Sequence, residues 1–404
     1  MEKPVFDPRD PAFRSDPYAL YERFRAYGPI FDNPDGSGVV CSHEAVSKLM
    51  ADRNRVRSIP LTEQPFGAGP LMDFNSNIMN FKEGADHLRI RTALGNAFVP
   101  KALAAMEEAI RSVCTELLTG LEQMESFDFA TDFATLYPLY VVCELLGVPR
   151  DEWELYRTGA NDVTLAEETI AEAPGSHPAM LADADRAAEA LRRSLEQNIA
   201  SRGDTTRTDI ISLLLAHEET ARISHDELIH NLIFLLLAGH ETTSTLLNNA
   251  MQFFFEQPEL VARLRKEPGM IPNSIEEMLR LRPSLQFVIR YAAEPIEWGD
   301  IRIAAGKPLF MLLGSANRDP ERFPDPDALQ VDRPNSARHL SFAFGPHTCL
   351  GNNLARMETR IALKQILDRM PDLQPNGRAE PSSHVLFQGF TSLPVRRGRQ
   401  VVTA

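Results

Sequence analysis

The sequence predicts a mainly α-helical fold with small β-sheets. Apolar residues recur at spacings of three and four through long stretches, one segment of about 33 residues is bounded by helix start and stop signals, and strand-like runs are short and few. The chain has 404 residues, 43% hydrophobic and 24% charged, and carries no repeat, low-complexity tract or linker. A single domain over residues 1–404 is expected, with about residues 1–15 as a partly extended N-terminal arm.

The elements follow in chain order. Asn33-Pro34-Asp35-Gly36 is a turn cluster between Ile30-Phe31 and Val39-Val40-Cys41, which reads as a hairpin. From Lys101 to Met124, Leu103, Met106, Ile110, Val113, Leu117 and Leu121 mark one face of an amphipathic helix. Further helical patterns cover Asp183–Ile199, Asp209–Ala216, Ser224–Glu256, Pro272–Leu281 and Leu350–Met370. In Ser224–Glu256, Ser224 and Glu227 form an S-x-x-E capping box and Pro258 supplies the stop. Such a helix would span roughly 50 Å, and its apolar run is too short and too interrupted to cross a membrane. Strands are predicted at Phe287–Tyr291, Ile301–Ile303 and Leu309–Leu313.

Charge narrows the function. With 42 Lys and Arg against 56 Asp and Glu, the net charge is −14, which argues against a nucleic-acid partner. The four cysteines, Cys41, Cys114, Cys143 and Cys349, are too scattered for a disulfide framework or a zinc site and suit a reducing cytoplasm. The first residues, MEKPVFDPRDPAF, contain no apolar run that would act as a signal peptide or anchor, so a cytoplasmic protein with no membrane partner is expected.

Three constellations carry chemistry. Ala238-Gly239-His240-Glu241-Thr242-Thr243 places a glycine and polar groups in the middle of the long apolar helix, where they should loosen it locally. Taken alone, the cluster also fits a solvated face. Phe342-Ala343-Phe344-Gly345-Pro346-His347-Thr348-Cys349-Leu350-Gly351 puts Cys349 at the start of a helix, where free amides favour a thiolate, and Gly345 and Gly351 would admit a flat partner. A lone cysteine is otherwise a packed, inert residue. Glu277 and Arg280, three apart, share a helix face, as many surface pairs do.

Together A-G-x-E-T-T, E-x-x-R and F-x-x-G-x-H-x-C-x-G, in this order, resemble the signature set of the haem-thiolate monooxygenases, the cytochrome P-450 family. The likeness runs from Asp16-Pro17-Tyr18 to Leu393-Pro394 and includes Asn317-Arg318-Asp319-Pro320 and Phe323-Pro324-Asp325-Pro326, the meander of soluble bacterial members. The resemblance implies the family's triangular fold, haem b with Cys349 as axial metal ligand, and contacts to the ring from Ala238, Gly239, Phe342 and Gly351. Gly239 with Ala238 would leave room for O2. It implies that Glu241 and Thr242 are the acid and alcohol that deliver protons during oxygen activation. Propionate-binding cations would be His87, Arg91, Arg290 and His347, with Arg89 facing solvent. Glu277 and Arg280 would form a structural ion pair completed by Arg333 or Arg322, Arg333 being favoured. Ala343 departs from the family's usual glycine and is tolerated if its φ is negative.

The implied activity is insertion of one atom of O2 into a small to medium, largely apolar organic substrate, by a monomer. Electrons would come ultimately from NAD(P)H through a separate ferredoxin that docks on the Cys349 side. Two alternatives are a peroxide-driven hydroxylase and a non-catalytic haem sensor or carrier, and the Glu241-Thr242 pair argues against both. Candidate pocket residues are Phe74, Ile78, Phe234, Leu237, Gln286, Phe287, Val288 and Phe387, with Phe66 also in an apolar segment.

Overall fold

The computed structural model describes residues 2–58, 69–172, 178–202, 209–221, 223–382 and 384–398. Helix dominates them. The N-terminal part holds α1 Pro11–Ser15, α2 Pro17–Tyr27, β1 Ile30–Asp32, β2 Gly38–Val40, α3 His43–Ala51 and β3 Val56–Arg57. Next come α4 Pro70–Asn77, α5 Gly84–Gly95, α6 Pro100–Leu121, β4 Ser126–Asp128, α7 Leu136–Leu146, α8 Trp153–Glu172, α9 Pro178–Ala200 and α10 Ile210–Ala221. The long helix is α11 His225–Glu256, followed by α12 Pro258–Lys266 and α13 Ile271–Leu281. The rest comprises β5 Val288–Ala292, β6 Ile296–Trp298, β7 Ile301–Ile303, β8 Pro308–Met311, α14 Leu313–Ala316, α15 Asn352–Arg369, β9 Leu373–Pro375, β10 Glu380–Pro381, β11 Phe390–Ser392 and β12 Pro394–Arg397.

The chain gathers into two compact units. One comprises Met1–Arg57, Cys114–Tyr137 and Thr242–Ala404; the other comprises Ser58–Val113 and Pro138–Glu241. In the first, a five-stranded sheet has the order β1-β2-β8-β5-β3, with β2 and β8 parallel and the other pairs antiparallel. The hairpin turns where Gly36 takes φ 80° and the Asp35 carboxylate accepts from the Ser37 amide. Asn33 both donates to and accepts from the backbone of Phe6, which fastens the N-terminal arm beside the hairpin. Phe6 then packs edge-on against Phe13, Phe287 and Phe310, with centroids 5.1, 5.5 and 5.1 Å apart. A second core of Val40, Val46, Leu49, Leu309 and Met311 lies between α3 and the sheet.

The second unit is helical. Asp185 of α9 accepts from the Leu71 amide at the start of α4 (2.9 Å), supplying a partner to one of the unpaired amides of that helix end. Asn231 of α11 accepts from the Met79 amide (2.8 Å) and donates to the Asn77 carbonyl (3.0 Å), tying the end of α4 to α11.

Several boundaries differ from the sequence reading. In α6 Leu118, not Leu117, is fully buried, because a straight helix rotates a strict seven-residue spacing off its face. Leu313 opens α14 instead of ending a strand, because the Gly314 amide turns to donate to the Gln286 carbonyl (3.0 Å). The helix α11 is continuous through Gly239 and is not loosened there. Pro258 stands at the first turn of α12, where its missing amide costs nothing. None of the described helices is long and apolar enough to cross a membrane.

Candidate functional site

In the first unit, the loop Phe342–Gly351 is held at its base. Asn317 accepts from the Leu340 amide (2.6 Å) and donates to the Ser341 hydroxyl (2.8 Å), which donates in turn to the Leu279 carbonyl (2.8 Å). The Cys349 amide closes the loop on the Phe342 carbonyl at 2.9 Å, and the Asn352 amide group donates to the Cys349 carbonyl at 2.7 Å. Below Phe342, the Arg356 guanidinium lies 4.5 Å from its ring centroid and forks onto the Glu276 carboxylate at 2.6 and 2.8 Å. Burial works to raise the Glu276 pKa, but the bonds from Arg356 and His339 outweigh it and hold the carboxyl at about 2.

Cys349 is exposed, whereas Cys41, Cys114 and Cys143 are buried. Burial pushes the Cys41 thiol up to about 12 and raises that of Cys143 as well, so neither is a thiolate near neutral pH. Cys349 precedes the helix instead of starting it: α15 begins at Asn352 with Gly351 as its cap. Gly351 has open space where a Cβ would stand. Gly345 serves a different end from the expected flat partner. Its φ is 78° and an added Cβ would lie 2.3 Å from the Met50 carbonyl oxygen, so α3 occupies that side.

Ala343 has φ 58°, not the negative φ that would make it harmless. A left-handed conformation crowds Cβ against the backbone. Ala343→Gly is therefore expected to stabilise the fold by about 1 kcal/mol, read as a higher denaturant midpoint at unchanged slope. An unchanged or lower midpoint would contradict the strain.

Glu277 and Arg280 of α13 are both fully buried, and Arg280 forks onto Glu277 with two bonds of 2.8 Å. Arg333, not Arg322, meets Glu277, through Nε at 2.8 Å. The two guanidiniums also donate to the carbonyls of Pro324, Asp325, Pro326 and Ala328, and Arg280 donates to that of Asn317. The ion pair thus reaches the base of the Cys349 loop through Asn317. Burial alone would raise the Glu277 pKa; the two guanidiniums keep it low.

In the same unit, Arg290 lies half-buried on β5 and donates to the Ile289 carbonyl, and His347 lies half-buried in the short turn Gly345–His347. Thr242 follows the unit boundary within α11, and its carbonyl accepts from the Ser284 hydroxyl at 2.7 Å.

The second unit carries the remaining predicted positions. His87 is buried and Arg91 half-buried one turn later on α5. Gly239 does not open space for a small molecule on its bare side, since a Cβ there would stand 2.9 Å from Val142 of α7. Ala238 is exposed and Glu241 half-buried, its carboxylate 3.4 Å from Nε2 of His240.

Arg89, expected to face solvent, instead forks onto Glu227 at 2.6 and 2.7 Å, because that carboxylate caps α11 on the Ser224 amide beside it. Arg89 chiefly, with the Ser224 amide, holds the Glu227 carboxyl at about 2, below its ordinary 4.5. The folded pKa is depressed, so the pair's stabilisation is complete above about pH 4.5 and is lost as pH falls through about 2. Arg89→Met should lower stability at pH 7, with the gap to the parent shrinking as pH falls from about 4.5 to about 2 in denaturant titrations. A gap independent of pH would sink this account.

Candidate pocket residues divide. Phe74 and Ile78 are buried, with Phe74 edge-on to His230 of α11, and Phe234 and Leu237 lie on α11 itself. Gln286 is not available to a ligand, because Tyr21 donates to its Oε1 and it donates to the Pro283 carbonyl. Phe287 belongs to the aromatic core around Phe6, and Val288 packs against the Val40 core. Phe387 forms an isolated antiparallel bridge with Leu285 and lies against the His384 ring. Phe66 lies outside the described residues. Sequence reasoning missed Asn317, Glu276 and Arg356; the only signal was their place in or beside the motifs.

Comparison with known proteins follows this geometry. The family profile described as Cytochrome P450 matches residues 162–394. The chain is 32% identical over 366 residues to the biotin biosynthesis cytochrome P450 of Bacillus subtilis (strain 168), covering 89% of this chain and 91% of that one. It is 30% identical to the polyketide biosynthesis cytochrome P450 PksS of the same organism, over 98% and 99% of the two chains. Among solved structures, P450BioI in complex with acyl carrier protein ligated to hexadec-9Z-enoic acid superposes with a TM-score of 0.85 at 29% identity, covering 96% and 100%. Epothilone D-bound P450epoK gives 0.88 at 26% identity, covering 98% and 99%.

Proposed function

We propose, for a chain that belongs to the cytochrome P450 family, a monooxygenase that inserts one atom of O2 into a largely apolar organic molecule and binds its haem through Cys349. The family is one of haem-thiolate oxidoreductases, which use haem iron, O2 and electrons from a reductase. The observation that carries the assignment of Cys349 is its exposure on a loop pinned through Asn317, while the other three thiols are buried. The donor set fits the group: an accessible thiol, with open space at Gly351 for a flat ring.

Haem b bound there supplies oxygen activation, with electrons originating in NAD(P)H. Cys349 holds the iron as a thiolate, a stronger electron donor than histidine. His87, Arg91, Arg290 and His347 hold the propionates by charge-assisted hydrogen bonds. Phe342, Gly351, Ala238 and Gly239 bound the ring. Glu241 holds a proton on its carboxyl oxygen, and the Thr242 hydroxyl passes it on. Glu277, Arg280 and Arg333 keep the loop base rigid. A ferredoxin-type partner docks on the Cys349 side, where Phe344 is exposed. The enzyme is a cytoplasmic monomer on this reading.

Thr242→Ala tests it against the peroxide-driven and non-catalytic alternatives. Haem content and substrate affinity should stay near those of the parent, while the ratio of product to NAD(P)H consumed falls severalfold and hydrogen peroxide accumulates. Equal coupling in the two proteins would remove Thr242 from proton delivery.

A further inference from the structure

The helix α11 carries a second polar group that proton delivery does not use. His230 is only 4% exposed, and its Nε2 lies 3.3 Å from Nη1 of Arg192 on α9. A guanidinium donates and never accepts, so Nε2 is the acceptor and a neutral His230 carries its hydrogen on Nδ1. Arg192 is itself engaged by Asp226 and Glu196. Burial foremost, and then the Arg192 charge, lower the His230 pKa, whereas Asp226, Asp73 and Glu196 raise it; the balance favours the neutral ring. Nδ1 is buried and has no hydrogen-bond partner. The Phe74 ring stands edge-on to the imidazole at 6.2 Å, and on the same helix as Phe74 the buried Asn75 leaves its Oδ1 without a partner too. A buried donor left unpaired costs about 1–3 kcal/mol, which a ligand acceptor would recover.

Position along the helix gives this donor a purpose. His230, Phe234, Leu237 and Glu241 stand at i, i+4, i+7 and i+11 of an uninterrupted helix, so they form one stripe. The stripe runs from a buried N–H, over two apolar side chains, to the acid assigned to proton delivery. Eleven residues at 1.5 Å each make it about 16 Å long.

We propose that His230 is a substrate-binding residue whose Nδ1–H donates to an oxygen acceptor at one end of an elongated apolar substrate. The body of that substrate lies on Phe234 and Leu237, and its oxidised carbon lies near Glu241, about 16 Å from the acceptor, or about a dozen carbon–carbon bonds in an extended chain. The inference rests on the monooxygenase reading and adds to it a substrate class: a long, mostly saturated molecule with a carbonyl, ester or hydroxyl oxygen at the end remote from the oxidised carbon.

The test uses the haem-loaded protein, methyl dodecanoate, and the hydrocarbon of the same length, with affinities read from the substrate-induced change of the Soret band. The parent should bind the ester at least fivefold more tightly than the hydrocarbon. His230→Phe should bring that ratio to about one, and His230→Gln, which keeps an N–H donor, should restore part of it. The thiolate band of the carbon monoxide complex checks that both variants are folded and loaded. In the diamagnetic carbonmonoxy protein, the His230 nitrogen resonances should show the hydrogen on Nδ1, with a shift on adding the ester and none on adding the hydrocarbon. A ratio near one in the parent, an unchanged ratio in His230→Phe, a hydrogen on Nε2, or a resonance that ignores the ester because water holds the site would each overturn the proposal. Failure of the thiolate band in the parent would instead overturn the monooxygenase reading itself.

Discussion

Cys349→His is expected to abolish the red-shifted Soret band that the reduced carbon monoxide complex of a thiolate-ligated haem shows, and to end NAD(P)H-driven product formation. Imidazole is a weaker electron donor to iron, and no other cysteine can substitute. Cys41 donates its thiol hydrogen to the Gly28 carbonyl at 3.0 Å and, with its titration pushed to about 12, stays protonated; Cys114 and Cys143 are buried. The absorption spectrum of the purified variant decides the matter. A surviving thiolate band would mean that a buried cysteine is the ligand and that the loop around Cys349 has some other purpose.

Arg280→Met is the second change with a large expected effect, a loss of about 3–5 kcal/mol, because it leaves the buried Glu277 carboxylate with one cation instead of two. It also strips donors from the carbonyls of Asn317, Pro326 and Ala328. Domain stabilities are about 5–15 kcal/mol, so the variant should show a sharply lower denaturant midpoint and poor yield. Arg322→Met serves as the comparison, since Arg322 does not join Glu277, and it should change the midpoint far less. A loss below about 1 kcal/mol for Arg280→Met would show that the buried pair is dispensable.

Much of the helical framework was legible because its signals are local. The reciprocal bonds between Ser224 and Glu227 at the start of α11 lie three residues apart, and the spacing of Leu103, Met106 and Ile110 repeats within a few turns. The order of the three motifs likewise singled out the Cys349 loop and the Glu277–Arg280 pair that the structure buries. What was not legible depends on partners far along the chain or on a backbone angle. Gln286 looked like a polar group in an apolar pocket, but its partner Tyr21 is 265 residues away. Arg89 looked solvent-facing until Glu227, 138 residues on, supplied a carboxylate. The strain at Ala343 resides in φ, which one-letter code does not display. Gly345 and Gly239 were read as making room for a ligand, whereas the atoms nearest their missing Cβ belong to Met50 and Val142.

The five-stranded sheet has a consequence for how the chain is made. Gly38 pairs with Leu309, so β2 leaves the ribosome 271 residues before the strand that covers its edge. At roughly 5–20 residues per second, the Ile30–Val40 hairpin waits roughly 15–50 s during translation with that edge unpaired. Ile30, Phe31, Val39 and Val40, all buried in the finished protein, are exposed to association with other nascent chains throughout that interval. Slow elongation or crowded expression should therefore aggregate this protein through its first forty residues, and a chaperone that holds extended apolar segments should raise the soluble yield more than lowering the temperature alone.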